Sequence, residues 1–178
     1  MKTRFHISTI RRVSLARRIA LSVGLHFLES LIPSFLPVPG FRLGLANIVT
    51  LFVLYYYGGI SYVFVRRVKV MLVPLISSGF GINFFMSLSG TILCTTISLI
   101  LYYLVRPSIY SVSLFGSLFH TIGQLIAYAL FFSTPYIFYY ICILGPLSLL
   151  TGIVRAIINA LLLKKIPSSF RTRERKRR

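Results

Sequence analysis

Residues 84–132, FFMSLSGTILCTTISLILYYLVRPSIYSVSLFGSLFHTIGQLIAYALFF, decide the fold. They hold two long apolar runs, Phe84 to Val105 and Ser108 to Phe132, separated only by Arg106 and Pro107. A helix needs roughly 20 apolar residues to cross a bilayer core of about 30 Å, and each run has that length. Proline lacks the helical N–H donor and biases the preceding residue away from helical geometry, so Arg106-Pro107 is expected to end one span and open the next. Working outward, four more runs emerge. The first covers about Ile19 to Leu36 and ends in the stretch punctuated by Pro33, Pro37, Pro39 and Gly40. The second, Gly44 to Tyr57, stops at Gly58-Gly59, and the third, Ile60 to Phe80, carries Arg66, Arg67 and Lys69 ahead of Pro74. The last, Pro135 to Leu163, meets Lys164-Lys165. The second of the six is short and the third is charged, which makes these two the weakest spans.

The chain has 178 residues, 20 Lys and Arg against 2 acids, and a hydrophobic content of 56%. A soluble nucleic-acid-binding domain would share the net charge of +18 but not the mean hydropathy of +0.84. Disorder, collagen, coiled coil and secreted disulfide scaffolds are excluded by the same composition. Six of the basic residues lie within residues 1–18 and eight within 164–178. Basic residues concentrate on the cytoplasmic side of membrane spans, so two basic ends require an even number of crossings. The expected fold is all-α: a polytopic membrane protein, a bundle of about six transmembrane helices with N- and C-termini cytosolic. Residues 1–18 form a basic cytosolic flank without the pattern of a cleavable signal peptide. Residues 19–163 form the six-helix body, and 164–178 a basic, disordered cytosolic tail. The expected location is a bacterial cytoplasmic (inner) membrane. Lipid headgroups account for the terminal charge, and no nucleic-acid partner is expected.

Ionisable and polar residues within spans are costly and therefore informative. Glu29 is the only acid before position 174, and His26, three residues earlier, shares its helix face. It serves either helix packing or a ligand or proton site. His120 and Gln124, four residues apart, share a face of the fifth helix, with Gly116 and Gly123 permitting close approach of a backbone or ligand. Asn47 and Thr50 face the same expected cavity, and Arg67 or Arg66 offers positive charge to an anionic group, with Arg66 expected to snorkel to the interface. Ala16, Ala20 and Gly24 recur every four residues, a small-residue ridge for a helix of this chain or of a partner subunit. Gly145, Pro146 and Gly152 predict an irregular backbone in the last helix. Cys94 and Cys142 read as buried small hydrophobes. There is no Asp, no nucleotide-binding Walker sequence and no metal-ligand spacing, so neither catalysis within this chain nor a metal or tightly bound cofactor is expected.

The stretch LESLIPSFLPVPGFRLGLANIVTLFVLYYYGG at 28–59 resembles the bacterial Gx transporters, also labelled heptaprenyl diphosphate synthase component I. The resemblance extends to Arg67, Ser89-Gly90, FHTIGQL at 119–125 and the segment from Gly145 to Gly152. Glu29, Arg42, Asn47, His120 and Gln124 match the pattern, while Thr121 stands where the family usually has Asn. Such proteins resemble the S components of energy-coupling factor transporters. The resemblance implies binding and transport of a small cofactor-like molecule, with flavin (FAD or a related form) as the leading ligand. Glu29, Arg42, Asn47, Arg67, His120 and Gln124 would contact it, with Arg42 or Arg67 facing the pyrophosphate. It also implies docking to a T-component-like membrane subunit through Ala16, Ala20 and Gly24, or assembly as an oligomer. The alternative is a non-transporting accessory subunit of isoprenoid or quinone precursor synthesis, or of a membrane redox complex.

Overall fold

Glycine, serine and proline set the helix ends. The computed structural model describes residues 13–14, 16–25, 27–28, 45–77, 81–105, 108–133 and 135–165. Helix α1 is seen at residues 13–14, 16–25 and 27–28. Between α2 (Leu45–Tyr57) and α3 (Gly59–Ser77) the chain turns on Gly58 at a φ of 90°, a conformation glycine adopts without a steric penalty. Helix α4 (Ile82–Ile100) runs on through a π-helical turn, Leu101–Val105. The Ser108 hydroxyl accepts from the Ser111 N–H and caps α5 (Ile109–Phe132), which ends at Ser133 in the left-handed region. A 3-10 segment, Pro135–Tyr140, then leads into α6 (Ile141–Lys164). Six α-helices thus make up the described fold, which contains no strand.

Polarity is distributed inside out. Ile60 is 88% exposed, and Leu104 and Leu130 are each 77% exposed, whereas Ser22, Thr50, Ser98, Ser113, Ser117 and Asn159 are buried. In water such a surface would lose the hydrophobic driving force for folding; in lipid an apolar exterior costs nothing, and interior hydroxyls supply bonds between helices. Ile82–Val105, Ile109–Phe132 and Tyr136–Lys164 are long and apolar enough to cross a membrane, and Asn47–Tyr57 is apolar but shorter. Helix α3 is interrupted by three cations, as its sequence predicts.

Neighbouring helices close a ring: α2 packs on α3, α3 on α4, α4 on α5, α5 on α6, and α6 on α2. Helix α1 lies against α2, where the Ser14 and Tyr57 hydroxyls meet at 2.5 Å. The tightest seam joins α4 and α5. A Cβ added to Gly123 would lie 2.7 Å from Gly90 Cα, so the two backbones touch there. Close contact of this kind replaces the missing hydrophobic force with dispersion and short hydrogen bonds. Ser89 Oγ donates to the Gly123 carbonyl at 2.8 Å, and Ser113 Oγ donates to the Gly152 carbonyl of α6 at 2.7 Å. Gly152 is itself closed over by the Ser117 hydroxyl.

Aromatic rings gather at both ends of the ring of helices. At one end Tyr55 meets Tyr102 edge to face, beside Tyr103, Tyr56 and Tyr57. At the other, Phe84, Phe85, Phe131, Tyr128 and Phe132 make a second band near the 3-10 pair Tyr136–Tyr139. Tyrosine and other aromatic rings favour the two membrane–water interfaces. The described cations Arg17, Arg18, Lys164 and Lys165 all lie at the end of the Tyr55–Tyr102 pair.

Two expectations need correction. The backbone from Gly145 to Gly152 is not broken: α6 runs through Pro146, and the irregular geometry falls earlier, in Pro135–Tyr140. Ser148 Oγ donating to the Gly145 carbonyl at 2.8 Å supports the turn after the proline. Cys142 is not a buried small hydrophobe but exposed on the apolar exterior, whereas Cys94 is buried as expected.

Candidate functional site

The helix ring encloses a polar cavity to which five helices contribute. Helix α2 brings Asn47 and Thr50, α3 brings Tyr62 and Arg66, and α4 brings Cys94 and Ser98. Ser113, Gly116 and Ser117 of α5 and Arg155 of α6 complete it. Its free volume is ≈ 20 Å³, room for about one water. The helices reach this arrangement because their polar residues recur at helical spacing. Tyr62, Arg66 and Lys69 follow one face of α3; Ser148, Thr151, Arg155 and Asn159 follow one face of α6.

Arg66 is 2% exposed. Its Nη1 donates to the Tyr62 hydroxyl and, at 2.8 Å, to Cys94 Sγ, and its guanidinium carbon lies 5.2 Å from the Tyr62 ring centroid. Arg66 Nε is buried without a hydrogen-bond partner among the described residues. The expectation that Arg66 snorkels to the interface is therefore overturned. Seven residues along α3, about 10 Å from its start, it is held in the bundle by a phenol and a thiol. Lys69, 4% exposed, donates through Nζ to Asn47 Oδ1 at 2.7 Å. On α6, Arg155 donates from Nε to the Thr151 carbonyl at 3.1 Å and from Nη2 to its hydroxyl at 3.2 Å. Asn159 Nδ2 donates to the Arg155 carbonyl at 2.9 Å, while its buried Oδ1 has no partner among the described residues.

Three cations thus reach into the bundle, Arg66 and Arg155 at the cavity wall and Lys69 on Asn47 of that wall. The body of the chain, residues 19–163, has one acid, Glu29, so the interior charge is positive whichever cation that acid meets. Thr50, Ser113 and Ser117 spend their hydroxyl hydrogens on backbone carbonyls, so the two lining guanidinium groups, Arg66 and Arg155, are what suits the oxygens of an anion here. Among the described residues no group of three or more His, Cys, Asp or Glu side chains is placed to hold a metal ion.

The residues expected to form the site separate into groups. Asn47, with Thr50, lines the central cavity. Arg67 points outward and is exposed, one step around the helix from Arg66. His120 and Gln124 do share a face, and both cover Gly90: a Cβ there would lie 2.8 Å from His120 Nδ1 and 2.9 Å from Gln124 Cγ. That contact belongs to the α4–α5 seam, outside the lining of the central cavity. Thr121 donates to the Ser117 carbonyl within its own helix at 3.3 Å. Ala16, Ala20 and Gly24 are exposed, so the described part of this chain does not pack over them. Glu29, Arg42 and His26 lie outside the described residues. The sequence pattern assigned no role to Arg155 and Asn159, although their four-residue spacing in an apolar run was a usable signal, and Lys69 stood only as a charge that weakened the third span.

A family model described as heptaprenyl diphosphate synthase component I matches residues 19–163. Comparison with curated proteins and with solved structures returns no match.

Proposed function

Because the chain belongs to the heptaprenyl diphosphate synthase component I family, we propose that it is a six-span subunit of a bacterial cytoplasmic membrane, with cytosolic ends, that binds a small anionic molecule within its bundle and passes it across. The leading ligand is a flavin nucleotide, whose pyrophosphate would meet Arg66, Lys69 and Arg155. The observation carrying this reading is that Arg66 and Arg155 line a cavity at the centre of the helix ring, with Lys69 bonded to Asn47 of its wall. A ligand pocket usually spans about 300–1,000 Å³, far more than the ≈ 20 Å³ of this cavity, so in this proposal the helix ring opens to admit the ligand.

The chain works without catalysis of its own in this proposal and needs a second membrane subunit, or a further copy, to complete the pathway. The exposed line of Ala16, Ala20 and Gly24 supports docking through α1, as in the S components of energy-coupling factor transporters. Glu29 and Arg42 keep the ligand contact that the sequence resemblance implies, Arg42 sharing the pyrophosphate with those cations. His120 and Gln124 instead act through the α4–α5 seam and not by contact with the ligand. The test is purification in mild detergent followed by absorbance of co-purified chromophore and titration with FAD and FMN. A preparation without chromophore that also fails to bind FAD or FMN on titration would refute flavin as the ligand.

The family description favours a second reading, an accessory subunit of prenyl diphosphate synthesis. A diphosphate is again the group that the cations would meet. Titration with farnesyl diphosphate beside the flavins separates the two, and uptake by reconstituted liposomes would eliminate a purely accessory role.

A further inference from the structure

We infer that the groove between α1, α2 and α6, apart from the central cavity, is a binding site for an anionic phospholipid. It encloses ≈ 330 Å³ and is walled by Leu21 of α1, Ile48, Val49 and Phe52 of α2, and Leu162 of α6. Arg18 and Tyr56 bring polar atoms to its lining. The Arg18 guanidinium carbon lies 4.4 Å from the Phe52 ring centroid and 5.4 Å from those of Tyr56 and Tyr57. Stacking of this kind fixes the plane of a guanidinium and leaves its in-plane N–H donors available. Arg18 Nε is buried and has no hydrogen-bond partner among the described residues.

A donor withdrawn from water and left unmatched is destabilising until an acceptor arrives, and a phosphodiester oxygen is a strong one. Arg17 is exposed beside Arg18, and Lys164 and Lys165 are exposed at the end of α6, two and three residues beyond Leu162. Arg18, the one cation in the lining, selects an anionic headgroup over a zwitterionic one, and the surrounding Arg17, Lys164 and Lys165 add only a screened field. Its apolar floor selects an acyl chain over a free anion. An occupant would touch all three helices and so tie α1, which carries Ala16 and Ala20, to the ring. Nothing in this inference depends on the ligand of the central cavity.

The test uses the full chain, stripped of lipid in detergent and retitrated with phosphatidylglycerol or phosphatidylcholine of identical chains, with bound lipid counted by native mass spectrometry. Phosphatidylglycerol should bind about tenfold more tightly, and Arg18→Gln should lower it by about that factor, towards phosphatidylcholine. Arg18→Lys should fall between. Lys165→Gln, an equal charge loss outside the groove lining, should retain the preference. Leu21→Trp fills the groove from its exposed α1 side and should displace both lipids. Equal binding of the two lipids, or an unchanged Arg18→Gln variant, overturns the proposal. So does competition by inorganic phosphate alone, which marks a simple anion site, or preferential displacement by farnesyl diphosphate, which marks a prenyl diphosphate site.

Discussion

Alanine at position 123 would place a methyl group 2.7 Å from Gly90 Cα, 2.9 Å from the Ser89 carbonyl oxygen and 3.0 Å from Gly90 N. All three are backbone atoms of α4, so no side chain can rotate aside. Non-bonded carbons rest at about 3.5–4.0 Å, and α4 and α5 must therefore separate by about 1 Å. Overpacking of this kind costs about 1–3 kcal/mol. The separation also stretches the 2.8 Å bond from Ser89 Oγ to the Gly123 carbonyl, worth about 0.6 kcal/mol in a membrane protein. The sum, about 2–3 kcal/mol, corresponds to a fall in melting temperature of roughly 5–10 °C for a chain of this size. The assay is loss of the monodisperse peak on heating in detergent. Gly24→Ala is the paired measurement: its added methyl meets nothing within 4 Å, and alanine is the better helix former by up to about 1 kcal/mol. Adding Ser89→Ala to the Gly123→Ala background should then cost little more. A Gly123→Ala protein melting within about 1 °C of the parent would refute backbone contact between these helices.

Arg66→Gln should weaken binding of the central anionic ligand by at least about tenfold in a fluorescence titration, while the outward Arg67→Gln changes it less than about twofold. Equal losses would show that the positive charge acts through the general field rather than the inward face of α3. An apolar maleimide should label Cys142 in the folded protein and reach Cys94 only after unfolding, read by intact mass; early labelling at Cys94 would contradict its burial beside Arg66. Ala16→Leu with Ala20→Leu should leave the melting temperature unchanged and reduce co-purification with a membrane partner. A lowered melting temperature would assign the ridge to packing within the chain.

Helix ends were legible in the sequence because they depend on local chemistry: Gly58, Arg106-Pro107 and Lys164-Lys165 interrupt apolar runs whatever the tertiary structure. Helix rotation was not. Arg66 and Arg67 are adjacent and differ by about 100° around the axis, so the inward one is decided by the Tyr62 hydroxyl and Cys94 thiol that receive it. The pattern of Tyr62, Arg66 and Lys69 held that answer, but only for a reader willing to let two full charges face the core. Likewise His120 and Gln124 were rightly placed on one face, while their neighbour, a glycine of α4, could be found only in three dimensions. Pro146 misled because its missing N–H removes one bond, to the carbonyl of Cys142, and α6 continues through that loss.

The two aromatic bands also set a length. From Phe84 to Tyr102, which belong to opposite bands, α4 and its π turn advance 18 residues, about 27 Å at helical rise. That is a few ångströms short of an average hydrocarbon core of about 30 Å. A shorter stretch is accommodated by thinning the bilayer or by recruiting neighbours, each at a fraction of a kcal/mol per ångström. Any assembly with a second subunit, as proposed above, would thereby strengthen as acyl chains lengthen, which makes membrane thickness itself a variable for such assembly to be measured against.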